Sequence, residues 1–506
     1  MNNSLNKIFI VIVMACYLPV FFLGLFDLDE GAFAATSLQM VKQNQYLVPY
    51  IGEELRLEKP IFTYWVQAVS MSLFGANEFA LRFPSVIASF LWGFCFADFV
   101  KRYSNNSSRS EIFLNLLTIP GVFIISFAAT ADALLNLFIT LLMISLFDYS
   151  EKKEDKFLIW AGIFVALGFL TKGLTIIAIG GMVALLYFIY QRRLRVFFSI
   201  VFSWKAWLAF FLIVSPWLVL IIQNLGPGEL NYLFFDQTFG RFTNTFEKHD
   251  GPFFYYLFLL PIILLPYFWD AVKGFLNLKI RNIRFESFIF IWFVFVLVFF
   301  SFSSTKLPHY IIYGSTPLAF LIYKNHLSHK NTKVNLLAVS FHATIWLMIL
   351  SLPFYLSYLA SVQTNFEVST IVLNEFKNDL SLIIFIFLLV AFFIFSYFLS
   401  FRLMFLKRIS AIALLAVLTT KILPFINDAT QEDIRKVAFD AREISQKISM
   451  FKVNKPSFSF YADKISYRDL KETDIIFTRI DKLAFLDEKY EIISEHGNYL
   501  LLKIEQ

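Results

Sequence analysis

Long runs of apolar residues recur along the first 425 positions of the chain, and several of them are about 18 to 22 residues long. A helix of that length crosses the roughly 30 Å hydrocarbon core of a bilayer. Of the 506 residues, 58% are hydrophobic and 16% are charged, whereas about 25% of the residues in an average soluble domain are charged. The sequence therefore predicts a polytopic α-helical membrane protein.

Hydropathy predicts about thirteen spans. The first apolar run, Ile8 to Phe26, is longer than the core of a secretory signal, which has about 7–15 residues, so we expect a retained helix. Cys16 and Cys95 both fall inside predicted spans, so the sequence indicates neither a disulfide framework nor a cysteine metal site. The predicted spans are 8–26, 80–100, 112–128, 133–149, 157–170, 174–190, 200–222, 253–271, 285–302, 310–323, 334–358, 380–400 and 409–425.

The distribution of basic residues predicts the orientation. With the N-terminus in the cytoplasm, the inner loops carry about nineteen Lys and Arg residues and the outer loops about eight, which is the asymmetry of the positive-inside rule. The formal charge of +6 therefore reflects membrane topology, and we expect no nucleic acid partner. An odd number of spans places the C-terminal tail outside the membrane, on the outer side.

The tail after about residue 426 is less apolar than the rest of the chain. Gln431 to Ile448 has the pattern of an amphipathic helix. The sequence predicts a membrane domain over 1–425, with a first outer loop at 27–79, and a soluble α/β domain over 426–506. Four short segments of the tail are predicted to be strands, namely Phe458–Tyr461, Asp474–Phe477, Tyr490–Ile493 and Tyr499–Ile504.

Charged residues cluster at the predicted outer ends of the spans, where their proximity to the membrane core is costly. A single residue of this kind is often a helix cap or a lysine that reaches toward the lipid headgroups, but five such places on one side favour a site. A carboxylate can accept a proton from an attacking hydroxyl, and a lysine can neutralise a phosphate leaving group. The five places are Asp27–Glu30, Leu57–Pro60, Asp132, Lys172 and Lys306–Tyr310.

The donor is predicted to be carried by a lipid, because the chain has neither a Walker loop nor a Rossmann glycine fingerprint for a nucleotide sugar. Short motifs support this interpretation, and they follow one another over about residues 8 to 325: Asp29–Ala34, Tyr46–Pro49, Glu58–Trp65, Leu73–Glu78, Arg82–Ser85, Thr130–Leu134, Leu170–Gly173 and Lys306–Tyr310.

In order and spacing these motifs resemble the lipid A aminoarabinose transferases and the related protein O-mannosyltransferases, which are integral-membrane glycosyltransferases of the GT-C fold. The resemblance implies that the chain transfers a sugar from an undecaprenyl-phosphate carrier to an acceptor such as lipid A. It also implies a place in the bacterial inner membrane, among membrane lipids, with the active site facing the periplasm.

The resemblance assigns roles to individual residues. Asp29 corresponds to the catalytic acid of the first periplasmic loop, with Glu30 as its neighbour. Glu58 and Asp132 correspond to acidic residues near a bound divalent metal ion. The residues expected to contact the donor phosphate are Lys59, Lys306, Tyr310, Arg241 and Arg56.

This chain departs from the family pattern in three places. It has Ala32 and Phe33 where the lipid A transferases have arginine and tyrosine, so one active-site cation is missing. It has Arg56 where the family tends to have a tyrosine, and Arg56 is the candidate replacement for that cation. The family's Glu-His pair has no clear counterpart in 235–242, which puts a full metal site in doubt; His249 lies nearby, but a solvated loop histidine is the ordinary interpretation.

Two alternatives stay open at this point. The acceptor is lipid A or another envelope glycolipid, or else a protein hydroxyl or a growing glycan, and the motifs do not distinguish these acceptors. The other alternative is a flippase or transporter of lipid-linked sugars. Transporters usually bind their substrate near the middle of the membrane, whereas the acids here fall at span ends, which favours the enzyme.

Overall fold

The computed structural model describes residues 3–104, 107–233, 251–328, 331–362, 375–467 and 473–505. A bundle of helices is followed by a small sheet. The helices of the bundle are α1 (Asn3–Cys16), α2 (Asp29–Gln43), α3 (Phe62–Phe74), α4 (Glu78–Tyr103), α5 (Arg109–Leu117), α6 (Pro120–Phe127), α7 (Asp132–Lys152), α8 (Lys156–Lys172), α9 (Thr175–Tyr190), α10 (Leu194–Val201), α11 (Trp204–Leu225), α12 (Gly228–Asn231), α13 (Tyr255–Ile263), α14 (Phe268–Leu276), α15 (Arg284–Phe302), α16 (Ser315–Ser328), α17 (Leu336–Val362), α18 (Leu380–Phe398), α19 (Leu403–Val417) and α20 (Leu423–Arg442).

Short elements complete the bundle. Two 3₁₀ segments, Pro19–Phe22 and Pro308–Gly314, follow α1 and precede α16, and a π-helical turn at Leu418–Ile422 joins α19 to α20. The first outer loop also holds a small antiparallel hairpin of β1 (Tyr50–Ile51) and β2 (Glu54–Leu55).

The prediction of a multi-pass membrane protein is confirmed. Within the described ranges, eight helices are long and apolar enough to cross a membrane, or ten if each of two bent helix pairs is one span. The pairs α5–α6 and α13–α14 bend by 75° and 116°, although the sequence predicted one unbroken span for each. Pro120 is the first residue of α6, and Pro266 lies in the break after α13. Proline cannot continue the hydrogen bonding of a helix, which explains why both spans are broken at these places. The count of thirteen stays a prediction.

Helix α7 lies at the centre of the bundle. In its most apolar 18-residue window, 94% of the residues are buried inside the protein, because α4, α8 and α9 pack around it. In α18 the corresponding share is 28%, so most of that helix is left to face lipid. The first residue of α7 is Asp132, and the burial of the helix holds this carboxylate in a defined place.

The tail folds into a five-stranded mixed sheet with the order β4-β3-β5-β7-β6. Strand β3 is parallel to β4 and β5, whereas β7 is antiparallel to both β5 and β6. The elements are β3 (Ile448–Met450), α21 (Ser457–Tyr461), β4 (Ser466–Tyr467), β5 (Ile475–Arg479), a 3₁₀ turn (Ile480–Phe485), β6 (Tyr490–His496) and β7 (Tyr499–Ile504).

The last three predicted strands are confirmed as β5, β6 and β7, but two other predictions in the tail are wrong. Phe458–Tyr461 belongs to helix α21, where the Phe458 ring stacks on Phe477 with centroids 4.0 Å apart. Ile448 begins β3 instead of ending the amphipathic helix, which stops at Arg442. Four apolar or aromatic residues do not distinguish a strand from a buried helical turn, and packing on the sheet decides the outcome here.

The tail and the first outer loop share one apolar core. It includes Leu25 just before the loop, Ala34 and Leu38 from the loop, and Phe458 and Phe477 from the tail. The predicted domain boundary at 426 falls inside the helical stretch Leu403–Arg442, which continues from the membrane region into this core. The tail therefore lies on the same side of the bundle as α2, as predicted.

Candidate active site

Asp29 and Glu30 are neighbours at the start of α2, but they have opposite environments. Asp29 is exposed, whereas Glu30 is only 3% exposed and forms an ion pair with Arg82 at 2.6 Å. The Glu30 carboxylate also accepts hydrogen bonds from the backbone N–H groups of Phe26, at 3.0 Å, and Ala129, at 2.8 Å. Both oxygens of Glu30 are thus occupied, so we remove Glu30 from the predicted catalytic pair and assign it a positioning role.

Arg82 completes this contact from the other side. Its guanidinium is fully buried and donates to the carbonyl oxygens of Val20 and Leu23, each at 2.6 Å, and of Gly24, at 2.8 Å. A buried charge is tolerated only when it is paired and hydrogen-bonded, and Arg82 meets both conditions. The pair ties the end of the first span to α2 and sets the point from which Asp29 projects.

A second group of polar side chains surrounds Asp132 at the start of α7. Its Oδ1 accepts a hydrogen bond from Lys172 Nζ at 2.7 Å and another from the Tyr313 hydroxyl at 2.6 Å. Its Oδ2 accepts a bond from Thr130 Oγ1 at 3.1 Å. Lys172 also donates to the Tyr313 hydroxyl at 2.7 Å. Asp132 and Lys172, which belong to two separate motifs, thus form a buried ion pair.

His309 links this group to the first outer loop. Its Nε2 lies 3.9 Å from Asp132 Oδ1. The pKa of His309 is lowered to about 4, chiefly because the ring is buried; the carboxylates of Asp132 and Asp29 oppose the shift, and the charges of Lys172 and Lys59 contribute to it. Charged groups from three separate parts of the chain, Asp29 with Lys59, Asp132 and Lys172, therefore act on the His309 imidazole. We call these five residues the His309 cluster.

Arg56 lies in the first outer loop, between strand β2 and helix α3. Its guanidinium pairs with Glu58 at 3.1 Å and is 6.0 Å from the centroid of the Phe33 ring. Burial by itself lowers the pKa of Arg56, but the nearby Tyr64, Glu58 and Asp29 more than offset this and raise it. Arg56 thus brings a permanent positive charge to Phe33, a position where the resembling family has a tyrosine next to its arginine. This geometry agrees with the predicted replacement of the missing cation.

The predicted phosphate contacts are placed as follows. The Lys59 ammonium donates to the carbonyl oxygen of Glu58 at 3.1 Å, and its charge acts on His309. Tyr310 is 8% exposed, and its ring lies 5.6 Å from Lys172 Nζ. Arg241 lies outside the described residues, as do 235–242 and His249, so the role of Arg241 stays a prediction.

Lys306 is more deeply buried than the sequence suggested. It is 7% exposed, and its ammonium donates to the carbonyl oxygens of Ser301, at 3.2 Å, and Ser303, at 2.5 Å. These contacts satisfy carbonyl groups at the C-terminal end of α15, which have no partner within the helix. Burial lowers the pKa of Lys306. The structure thus gives Lys306 a helix-capping role, and its contact with a donor phosphate stays a prediction.

The two predicted metal ligands do not fit a metal site. Asp132 pairs with Lys172 and Glu58 pairs with Arg56, so each carboxylate already has a protein cation as its partner. Across the described part of the chain there is no group of three or more His, Cys, Asp and Glu side chains suited to hold an ion. We therefore derive no step of a reaction through a metal ion.

Sequence reasoning missed Tyr313, and although it singled out Lys172 and the segment Lys306–Tyr310, it assigned no role to Lys172 or to His309. A signal for Tyr313 was present, because residues three apart lie on the same face of a 3₁₀ helix, and Tyr313 follows Tyr310 by three. The rings of both tyrosines lie near Lys172 Nζ, at 5.6 and 5.4 Å. The environment of His309 had no such signal, because it depends on loops far apart in the sequence.

The chain is similar in sequence to several known proteins. A family model described as dolichyl-phosphate-mannose-protein mannosyltransferase matches residues 58–220. An undecaprenyl phosphate-alpha-4-amino-4-deoxy-L-arabinose arabinosyl transferase of Photorhabdus laumondii is 28% identical over 337 residues, which are 64% of this chain and 59% of the relative. One of the same name from Yersinia pestis is 31% identical over 321 residues, which are 61% of this chain and 57% of the relative. The chain thus matches about three fifths of the length of these curated relatives.

Solved structures share the fold. ArnT from Cupriavidus metallidurans bound to undecaprenyl phosphate superposes with a TM-score of 0.80 at 16% identity, covering 99% of this chain and 98% of that one. The archaeal oligosaccharyltransferase AglB from Archaeoglobus fulgidus gives a TM-score of 0.51 at 10% identity, covering 98% and 73%. The GT-C fold is confirmed, as is the resemblance to the lipid A aminoarabinose transferases.

Proposed function

We propose that this chain is a glycosyltransferase that moves one sugar from undecaprenyl phosphate to lipid A at the periplasmic face of the inner membrane. The observation that carries the proposal is the His309 cluster: His309 lies 3.9 Å from the Asp132 carboxylate, which is paired with Lys172 at 2.7 Å, and Lys59 and the exposed Asp29 of the first outer loop also act on the His309 ring. The relatives named as undecaprenyl phosphate-aminoarabinose transferases support the same carrier, and the fold is shared with ArnT; lipid A as the acceptor is proposed from the resemblance of the motifs.

The chemistry suits these residues. An acceptor oxygen forms a bond to the anomeric carbon of the sugar, while the bond from that carbon to the carrier phosphate breaks. The electron pair of the broken bond goes to the phosphate oxygen, so negative charge grows on the leaving carrier. Lys59, with the neighbouring Arg56, would stabilise this charge, and such stabilisation is worth most where it is stronger in the transition state than in the ground state.

The role of Asp29 depends on the acceptor. If a hydroxyl attacks, it must lose its proton, and Asp29 is the exposed base that would accept it. If a lipid A phosphate attacks, its oxygen is already ionised near neutral pH, and Asp29 would orient the acceptor or the sugar instead. In either case a carboxylate is needed at this place.

The Asp132–Lys172 pair would supply an ammonium group in a fixed position. The Lys172 ammonium donates to Asp132 and to Tyr313, so its position is set before any substrate binds. A preorganised charge needs no rearrangement during the reaction, which is the main advantage that such groups give an enzyme over water.

The orientation is proposed from the basic residues. The excess of Lys and Arg in alternate loops supports a periplasmic position for the face with Asp29 and the tail. Aminoarabinose is the first sugar to test, because the curated relatives are named for it.

A second candidate acceptor is a protein hydroxyl. It is favoured by the match of residues 58–220 to a family described as protein mannosyltransferases. A transporter is less well supported, because the proposed site lies at the ends of helices and not at their middle.

The direct test is a transfer assay with the purified chain in lipid nanodiscs. Undecaprenyl phosphate carrying aminoarabinose or mannose is offered to lipid A and to a serine-rich peptide, and products are identified by mass spectrometry. We expect a sugar on lipid A from the wild type and none from Asp29→Asn, whereas Asp463→Asn, a change of an exposed acid in the tail, retains activity. Transfer to the peptide alone would favour the second candidate, and movement of the carrier across the bilayer without transfer would overturn the proposal.

A further inference from the structure

The C-terminal tail contacts the loop that carries Asp29 through an acid two residues earlier, Asp27. The Ser457 backbone N–H donates to Asp27 Oδ1 at 3.0 Å, and the Ser457 hydroxyl donates to Asp27 Oδ2. Both carboxylate oxygens of Asp27 are therefore engaged by the first residue of α21. Hydrogen bonds to an ionised group are about twice as strong as neutral ones, which makes this a specific contact.

Gly31 permits the close approach of these two segments. A Cβ atom at Gly31 would lie 1.9 Å from Asp27 Oδ1 and 2.7 Å from Ser457 N. Contacts that short do not occur, so a larger residue at this position would displace either Asp27 or α21. The glycine that follows Asp29 and Glu30 in the sequence thus has a physical explanation in the docking of the tail.

The tail holds the backbone before Asp27 as well. The Tyr461 hydroxyl accepts a hydrogen bond from the Leu25 N–H at 2.7 Å and donates to Glu78 at 3.0 Å. Asn427 of α20 donates to the carbonyl oxygen of Gly24 at 2.8 Å. Residues 24–27 are therefore fixed by side chains and backbone from the tail, in addition to the apolar core that the two share.

The other neighbour of Asp29 is fixed from the membrane side. Glu30 is held by Arg82 of α4 and by the N–H of Ala129. Asp29 thus lies between two anchored carboxylates, one bound to the tail at Asp27 and one bound to the bundle at Glu30, while its own side chain is exposed. This arrangement sets the direction of Asp29 without occupying its carboxylate.

We propose that the tail is a positioning element for Asp29, and that the contact of Asp27 with Ser457 sets the geometry of the reacting carboxylate. The proposal rests on the proposed function, because it takes Asp29 to be the carboxylate that meets the substrate. A displacement of a reacting group by about 1 Å can reduce the rate about 100-fold. Loss of the contact should therefore lower kcat and leave the binding of the carrier unchanged.

The test compares Ser457→Ala and Asp27→Asn with a control contact between α2, which begins with Asp29, and the tail. Lys42 near the end of α2 pairs with Asp463 at 2.9 Å, but both side chains are largely exposed and lie away from residues 24–30. We expect kcat to fall about tenfold or more in Ser457→Ala and Asp27→Asn, with the KM for the carrier unchanged. Ser457→Thr retains the hydroxyl and should restore kcat, and Lys42→Ala should retain the wild-type value.

Hydrogen exchange gives a second readout that does not require activity. In Ser457→Ala the amides of residues 24–30 should exchange faster than in the wild type, whereas in Lys42→Ala they should not. Unchanged exchange in Ser457→Ala overturns the positioning role, whatever the activity. Wild-type kcat in Ser457→Ala and Asp27→Asn also overturns it, even if Asp29→Asn is inactive. If the wild type transfers no sugar but exchange responds as expected, the proposed function fails and the contact between tail and loop stands.

Discussion

At the scale of single residues, the pair Asp29 and Glu30 shows how far two adjacent acids can differ. One is exposed at the proposed site, and the other is buried against Arg82 with both of its oxygens satisfied. Replacing an exposed carboxylate changes the free energy of unfolding little. Removing one member of a buried ion pair leaves an uncompensated charge and lowers that free energy.

We predict that Glu30→Gln and Asp29→Asn separate stability from activity. Glu30→Gln breaks a buried pair, which costs about 3–5 kcal/mol, so its melting temperature and its yield in membranes should both fall. Asp29→Asn should melt like the wild type and transfer no sugar. Thermal unfolding in detergent, measured beside the transfer assay, checks both results. Equal loss of stability in the two variants would contradict the division of roles.

For Asp132 and Lys172 we predict coupled effects, because each side chain is the hydrogen-bonded partner of the other. Asp132→Asn and Lys172→Met should each reduce kcat/KM strongly, since each leaves a buried polar partner unmatched. The double variant should lose less transition-state stabilisation than the two single variants lose in sum, and the difference is a coupling free energy of about 1–3 kcal/mol. Transfer rates of the four proteins give this energy directly. Additive losses would show that the two residues act independently.

At the scale of elements, short irregular segments place the functional side chains. The segment Pro308–Gly314 brings His309, Tyr310 and Tyr313 to the place where Asp132 begins α7 and Lys172 ends α8. The contact of Asp27 with α21 fixes the start of α2, where Asp29 lies. The middles of the helices supply the frame, and the helix ends and the segments between them carry the proposed chemistry.

The contact of Asp27 with α21 has a predicted pH dependence. Burial raises the pKa of Asp27 from 3.8 to about 6, with a small contribution from Glu30, while Ser457 and Lys455 oppose the shift. The folded protein therefore binds a proton at Asp27 more tightly than the unfolded chain does, so the stabilisation from that proton is present below about pH 4 and is lost as the pH rises to about 6.

We accordingly expect the melting temperature of the wild type, relative to Asp27→Asn, to decrease between pH 4 and pH 6.5 and to stay constant above that range. Differential scanning fluorimetry of the two proteins over this range gives the difference. Asp463→Asn is the control, since its side chain is exposed and should produce no such trend. A difference that does not vary with pH would refute the raised pKa of Asp27.

At the scale of the whole molecule, the bundle and the tail form the proposed site together. The tail completes the apolar core under the first loop and holds residues 24–27, so it belongs to the same functional unit as the bundle. The face with Asp29 and the tail must then lie on one side of the membrane.

We predict that this side is the periplasm. Alkaline phosphatase fused to the C-terminus after residue 506 should be active, because the enzyme folds only where its disulfides form. The same enzyme fused at Lys153, at the other end of α7 from Asp132, should be inactive. Green fluorescent protein at both positions provides the opposite control. Activity at Lys153 and none at the C-terminus would invert the orientation.

Much of this architecture could be predicted from the sequence. The apolar runs predicted a multi-pass bundle, because only a helix satisfies the backbone of a chain in lipid. The ordered motifs predicted the GT-C fold, and the strands of the tail from Ile475 onward followed from their local pattern. These features depend on residues close together in the chain, or on composition.

Tertiary structure alone decided which polar residues meet. Glu30 and Asp29 look alike in sequence, but the burial of Arg82 makes one an anchor and leaves the other exposed. Asp132 was predicted to hold a metal ion and instead pairs with Lys172, and His309 acquires its surroundings from three distant segments. The helix at Ser457 and its contact with Asp27 span more than 400 positions. Long-range packing sets these contacts, because the free energy of burying a charge depends on partners that local sequence does not specify.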